Sequence, residues 1–129
     1  GFATQAALTC SLEHFEGDAD RRLFVELARV LAPGGKVCVI PFYLYHEPAV
    51  QTDPTYSAVH AVPFDPGIRL FAAKGWGNRH GRFYSPRSFL ERIAEPVAET
   101  FTFDYFWIRN APDLHPSNYV RFAVVATRR

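Results

Sequence analysis

The chain has 129 residues, a formal net charge of +1, 48% hydrophobic residues and 16% aromatic residues. That suffices for one folded domain with a core, and it excludes an intrinsically disordered chain. The near-neutral charge gives no general affinity for nucleic acid or an anionic membrane, and no apolar run approaches the roughly 20 residues that span a bilayer.

Residues 2–9 read as a strand, and the Ser11-Leu12-Glu13-His14-Phe15 segment follows as a loop. Residues 18–32 read as a helix. Asp18 stands at the cap position, Asp20 adds negative charge in the first turn and Arg29 adds positive charge in the last. Leu23, Phe24, Leu27, Val30 and Leu31 recur at helical spacing and form one apolar stripe. Pro33, Gly34 and Gly35 close the helix, and residues 36–42 form an apolar, β-branched run suited to a strand covered on both faces. Pro41 cannot donate to a ladder and ends that strand. Cys10 and Cys38 fall in apolar, strand-like settings and read as buried, reduced thiols of a cytoplasmic protein.

Taken together, Ser11-Leu12-Glu13-His14-Phe15 and the later Glu26-Leu27-Ala28-Arg29-Val30-Leu31-Ala32-Pro33-Gly34-Gly35 resemble the region after the cofactor loop in class I S-adenosylmethionine (SAM)-dependent methyltransferases, of the methyltransferase type 11-like kind. In that family a fourth strand ends in an "xLEHx" loop, and a helix, an "RVLxPGG" turn and a fifth strand follow. The resemblance covers residues 2–42 by motif and the remainder by the order of elements only. It implies an α/β fold, the carboxyl-terminal part of a Rossmann-like sheet with strand order 4-5-7-6 and an antiparallel last strand. It further implies SAM as cofactor, with Thr9, Cys10 and Ser11 where the fourth strand meets the cofactor's amino-acid end. A glycine-rich loop would precede this region in the family. The Gly75-Trp76-Gly77-Asn78-Arg79-His80-Gly81 segment does not supply one, because its third glycine is one place late and no helix pattern opens there. The chain alone is therefore expected to hold SAM weakly or not at all. Ala3 or Thr4 also stands where the family often begins this strand with aspartate.

Residues 43–84 lose periodicity and carry many prolines, glycines and aromatics, as a lid packed over the carboxyl edge of the sheet would. A short helix is expected near residues 56–61. Ser85-Pro86 opens a further helix with Phe89, Leu90 and Ile93 on its buried side, ended by Pro96. Residues 97–108 alternate as an edge strand, and residues 119–127 form the final strand. The chain thus divides into a strand-helix-strand core (1–42), a lid or substrate insertion (43–84) and a helix with a terminal β-hairpin (85–129).

His14 is the candidate general base, its imidazole being suited to proton transfer near neutral pH; the competing role for Glu13 and His14 is to fix the loop. No second histidine or cysteine lies at ligand spacing from either, so no metal is expected. Tyr43, Tyr45 and His46 follow the second strand and are candidates for the substrate pocket. Arg79 and Arg82, in a locally basic stretch, are candidates to clamp an anionic group on the acceptor. The expected function is methyl transfer from SAM to a small-molecule acceptor, in a chain not competent alone; the alternative is a non-catalytic methyltransferase-like binding or oligomerisation module. Neither nucleic acid nor membrane is an expected partner. Residues 2–9 carry no charge, proline or bulge signal to blunt a sheet edge, so a homodimer through that edge is expected.

Overall fold

In the computed structural model, which describes residues 1–129, the chain forms β1 (Ala3–Thr9), α1 (Ala19–Val30), β2 (Leu31–Ile40), β3 (Ala49–Thr52), α2 (Pro54–Val59), β4 (Arg69–Ala72), β5 (Gly81–Phe83), α3 (Pro86–Phe89), β6 (Phe101–Trp107), α4 (Ala111–Leu114) and β7 (Phe122–Arg128). The fold is mixed α/β. β1 and β2 pair in parallel across α1, β2 pairs antiparallel with β7, and β7 antiparallel with β6, giving the order β1-β2-β7-β6. No helix is long and apolar enough to cross a membrane.

α1 is positioned by Phe24 and Leu27, which are buried, while Leu23 and Val30 at the stripe's margins are only partly so. The helix starts at Ala19 and stops at Val30, two residues short of the span that periodicity suggested. The Asp18 side chain does not cap it. Its carboxylate turns instead toward Arg21 at 3.5 Å and Arg92 at 3.7 Å. The Pro-Gly-Gly turn is absorbed into β2: Ala3 faces Leu31 but Gln5 faces Lys36, so residues 32–35 bulge out of register. Gly34, at φ +77°, supplies the left-handed conformation that this bulge needs.

One face of the main sheet carries the core. Val37 and Val39 of β2, Val124 and Ala126 of β7 and Phe101 of β6 meet Phe24 and Leu27 of α1, and Phe89 and Ile93 of the second helical segment, in a single cluster. Phe24 and Phe101 pack edge to face at 6.3 Å, and Phe42 and Phe89 at 4.7 Å. Burying each such ring contributes about 1.5–3 kcal/mol. The second helical segment begins at α3 with Ser85 and Ser88 in a reciprocal capping box. It widens over Leu90–Ala94 and tightens over Glu95–Val97. Leu90, expected on its buried side, is 43% exposed, because the widened turn rotates it away from the sheet. Residues 97–100 complete this segment and its exit turn, so β6 begins only at Phe101.

The opposite sheet face is open. Gln5 and Ala7, Lys36, and Thr102, Asp104 and Phe106 share it by alternation, and all are exposed. The outer edge of β1 has no strand partner.

The interval between β2 and α3 is not an irregular lid throughout. It contains a second sheet of order β4-β3-β5, with β3 parallel to β4 and antiparallel to β5. These strands have four, four and three residues, too short for alternation to be visible in sequence. The lid sheet joins the main body through Tyr84, whose N–H donates to Tyr43 O (3.1 Å) and whose carbonyl accepts from Tyr45 N–H (2.8 Å).

Beneath that seam lies a buried ionic cluster. Asp20 has no exposed surface, and its Oδ2 accepts from Tyr84 Oη (2.7 Å) and Arg92 Nε (2.6 Å). Its Oδ1 accepts from Arg92 Nη2 and the Arg21 backbone N–H, both at 2.8 Å. Arg82, 3% exposed, lies with Nε 3.6 Å from Asp20 and donates to Asp65 Oδ2; Arg82 and Arg92 also both donate to Gly17 O. Burial by itself would raise the Asp20 pKa. The bonds from Arg92 and Tyr84 and the nearby guanidinium charges outweigh it, holding the carboxyl below its ordinary value of 3.8.

Replacing Asp20 with Ala should therefore destabilise the fold by about 3–5 kcal/mol, since it leaves buried guanidinium groups uncompensated. Urea unfolding measures this. Because the folded-state pKa lies below the unfolded one, the carboxylate's contribution is present above pH 3.8 and is lost as pH falls through the folded value. Asp20→Ala should accordingly show a shallower loss of stability below that pH than the unaltered chain; equal acid sensitivity in both would contradict the assignment.

Candidate active site

At the carboxyl ends of the parallel pair β1 and β2 the chain leaves the sheet twice. β1 ends at Thr9, and Cys10 takes a positive φ of +47°, an uncommon conformation for a residue with a side chain. That turn tips the thiol outward. Cys10 is exposed and Cys38 half-buried, so neither is the buried thiol that the apolar context suggested. After β2, the chain passes Pro41 and Phe42 into Tyr43. Because β7 is antiparallel, its approach segment reaches the same edge and brings Tyr119, whose Oη lies 3.6 Å from Cys10 Sγ. The last strand thus starts at Phe122, and the aromatic expected to open it belongs to the loop beside the site.

The lid sheet closes the other side with Gln51, Asn78, Phe83 and Trp76. Together with Cys10, Glu13, His14, Tyr43 and Tyr119 these enclose a cavity of about 300 Å³. Trp76 is aimed by its neighbours. Gly75 and Gly77, at φ +86° and +81°, both donate backbone N–H to Asp53 Oδ2, at 2.9 and 3.0 Å. Asp53 also accepts from Thr55 N–H at 3.0 Å. Led by the Gly77 bond, these donors lower the Asp53 pKa. The Trp76 ring then lies over Gly81 so closely that a Cβ there would sit 2.5 Å from Cη2. The loop thus uses its glycine amides to hold a carboxylate of its own chain.

His14 is fixed by a reciprocal pair. Its Nδ1 lies 2.6 Å from His80 O, and His80 Nδ1 lies 3.1 Å from Glu13 O. A carbonyl oxygen only accepts, so each Nδ1 carries a proton and each neutral ring keeps its lone pair on Nε2. His14 Nε2 is then the basic nitrogen, 3.6 Å from Glu13 Oε1. His80 is 1% exposed, stacks on Phe64 at 6.4 Å, and its Nε2 has no partner. Burial first, and the Arg82 charge second, lower the His80 pKa. The phenols of Tyr43 and Tyr119 are both pushed up. Burial leads for Tyr43, followed by its bond to Tyr119; the bond to Cys10 leads for Tyr119.

Of the residues expected to act, Cys10, His14 and Tyr43 come together here, and Arg82 contributes to the wall. Thr9 and Ser11 flank Cys10 outside the lining, with neither side chain hydrogen-bonded. Tyr45 and His46 meet at a tilt, with ring centroids 4.0 Å apart, away from the cavity, and Tyr45 also packs against Phe71. Arg79 grips Glu16 with two bonds, at 2.6 and 2.8 Å, and Arg82 is held by Asp65 and Asp20. The arginines of the basic stretch are therefore each paired with a carboxylate of the chain. Their carboxylate partners lie elsewhere in the sequence, except the Arg87–Glu91 pair. Glu13, Gln51, Trp76, Asn78 and Tyr119 were not singled out as pocket residues. Trp76 between two glycines is the one sequence signal that could have marked the lid's contribution.

No family model and no curated protein matches this chain. Among solved structures it is similar to a SAM-dependent methyltransferase from Methanosarcina mazei, at 12% identity and a TM-score of 0.46. The match covers all of this chain and 62% of that one.

His80 gives the site a pH dependence of stability. Its folded-state pKa lies below the unfolded value of 6.5, so the unfolded chain takes up the proton first. Stability should fall as pH drops through 6.5, by up to about 1.4 kcal/mol per pH unit, until the folded value is reached. Thermal unfolding at pH 7.5 and 5.5 should show a lower midpoint at the acid end, and His80→Gln should flatten the difference. An unchanged slope in the variant would remove His80 from this role.

Proposed function

We propose that this chain is the carboxyl-terminal part of a SAM-dependent methyltransferase that acts on a small-molecule acceptor. The observation that carries the reading is the position of the cavity. It opens at the carboxyl ends of the parallel strands β1 and β2, beside the Ser11–Phe15 motif whose resemblance to the family's loop is the most specific signal in the sequence. The mixed order β1-β2-β7-β6 is compatible with it.

In this reading Thr9, Cys10 and Ser11 hold the cofactor. The Thr9 and Ser11 side chains have no hydrogen-bond partner and the Cys10 thiol is exposed, so the β1 exit has groups free to do so. When bound, SAM supplies an electrophilic methyl group. Methyl transfer to a nucleophile needs alignment above all, and the Tyr43, Trp76 and Phe83 walls provide it for the acceptor. His14 Nε2, with its lone pair fixed by the Nδ1 bond to His80 O, takes the acceptor's proton. The resulting imidazolium faces the Glu13 carboxylate 3.6 Å away. The Gly75–Gly77 segment does not serve the cofactor, since its glycine amides are committed to Asp53.

Two measurements follow. Calorimetry on the 129-residue chain should show SAM binding weaker than low-micromolar. Within the complete coding sequence, methyl transfer from labelled SAM should fall about 10²–10⁴-fold on His14→Ala with SAM affinity unchanged. No transfer by the unaltered protein would end the enzymatic reading.

A second reading, a non-catalytic oligomerisation module, is favoured by a separate observation. β1 has an unpaired outer edge without charge or proline, Phe2 beside it is 84% exposed, and the sheet face behind it is open. Two such edges pairing antiparallel would give a two-fold dimer with one continuous sheet. Light scattering should return a dimer at micromolar concentration, and Ala6→Pro should dissociate it; a clean monomer would defeat the dimer.

A further inference from the structure

Glu13 stands out among the cavity residues because it brings a carboxylate to which no group of the chain donates a hydrogen bond. Its side chain is 9% exposed, yet neither carboxylate oxygen accepts a hydrogen bond, and the nearest cation-capable group, His14 Nε2, is 3.6 Å away, beyond hydrogen-bond reach. The Glu13 oxygens are not sealed in the core but open to the cavity, where a cation that enters can reach them. The guanidinium groups near the cavity do not. Arg82 is engaged by Asp65 and lies beside Asp20, and Arg79 is engaged by Glu16. Arg82 Nε has no hydrogen-bond partner, but the guanidinium it belongs to is already neutralised by Asp65 and Asp20, which leaves Glu13 as the carboxylate of the lining without a cation of its own.

We propose that the cavity takes a small organic ammonium ion, its charged nitrogen on the Glu13 carboxylate and its carbon frame against Trp76, Tyr43 and Phe83. Aromatic faces attract cations, Trp most strongly, and a charge-assisted bond to a carboxylate is among the stronger polar contacts. The volume of about 300 Å³ suits a ligand built on one aromatic ring. The negative charge of Glu13 also helps keep both neighbouring phenols protonated, and their oxygens remain available as neutral acceptors for the ammonium hydrogens. Carboxylate- and phosphate-bearing acceptors are repelled by the same charge. The fate of the nitrogen rests on the methyltransferase reading: His14 Nε2 removes one ammonium proton, the freed lone pair forms the new N–C bond, and the sulfonium's S–C bond breaks with its electron pair left on sulfur. Binding of the ammonium does not depend on that step.

The test uses three probes of one shape on the full 129-residue chain: phenethylamine, 2-phenylethanol and phenylacetate. Calorimetry or ligand-observed NMR at pH 7.5 should find the amine bound about tenfold or more tightly than the alcohol, and the carboxylate more weakly than either. Glu13→Gln, which removes the charge from a side chain that makes no hydrogen bond, should abolish the preference for amine over alcohol. Equal affinities in the unaltered chain, no binding of the amine, or a preference that survives Glu13→Gln would each overturn the proposal. SAM serves as a fourth ligand that separates the two readings. Amine binding without SAM binding supports the ammonium site whatever becomes of the cofactor. SAM binding that depends on Glu13, without amine binding, would give the carboxylate to the sulfonium and overturn the ammonium assignment while leaving the methyltransferase reading intact.

Discussion

The Asp20 carboxylate is the contact on which the arrangement depends. It sits in the first turn of α1 yet has no exposed surface, and the groups that satisfy it come from distant segments: Tyr84 at the lid's exit and Arg92 in the second helical segment. The Gly17 carbonyl, just upstream, collects Arg82 and Arg92 as well. One short stretch at the start of α1 therefore fixes both the lid and the helical segment that follows it. Without it, Tyr84 would lose the partner of its hydroxyl, and the seam between Tyr84 and the Tyr43–Tyr45 backbone would lose its support. Apolar packing alone would bury these elements without setting their register; the directional bonds to one carboxylate do set it.

The same logic recurs at two smaller scales in the lid. His14 and His80 exchange side-chain bonds for backbone carbonyls across the gap between the motif loop and β5, so the loop and the lid position each other. Asp53 gathers the amides on either side of Trp76. In each case a polar side chain substitutes for regular secondary structure where the chain is too irregular to satisfy its own backbone. That substitution is why a proline- and glycine-rich interval can form a shaped wall at all.

Parts of this were legible in the sequence and parts were not, for physical reasons. α1 was legible because Phe24 and Leu27 repeat at helical spacing, and the β2 run because its β-branched residues are buried. The lid sheet was not legible, since its strands are shorter than the window in which alternation can be counted. Asp20 was legible only as a first-turn charge; its burial depends on Tyr84 and Arg92, 64 and 72 residues away. The arginines read as a basic surface because their carboxylates lie outside the stretch. Arg79 reaches back to Glu16 and Arg82 to Asp65 and Asp20, and only the folded chain brings these together. That His14 and Tyr43 lie at the sheet's carboxyl edge was legible because they follow strand ends. Trp76, Gln51 and Tyr119 were not, because the lid and the β7 approach deliver them from loops without periodicity.

The cavity and the open sheet face are separate features, and that separation bears on function. Every residue lining the cavity comes from the β1 exit, the segment after β2, the lid or the loop before β7, and these are cross-braced within the chain by the His14–His80 pair and the Asp53 loop. The open face is made of Gln5, Ala7, Lys36, Cys38 and Val125, none of which lines the cavity. Whatever covers that face can do so without entering the pocket. The cavity is thus braced from within the chain and does not depend on the open face. A chain built this way can hold a small ligand against Glu13 and Trp76 independently of whether its sheet is extended, paired with a second copy or left bare.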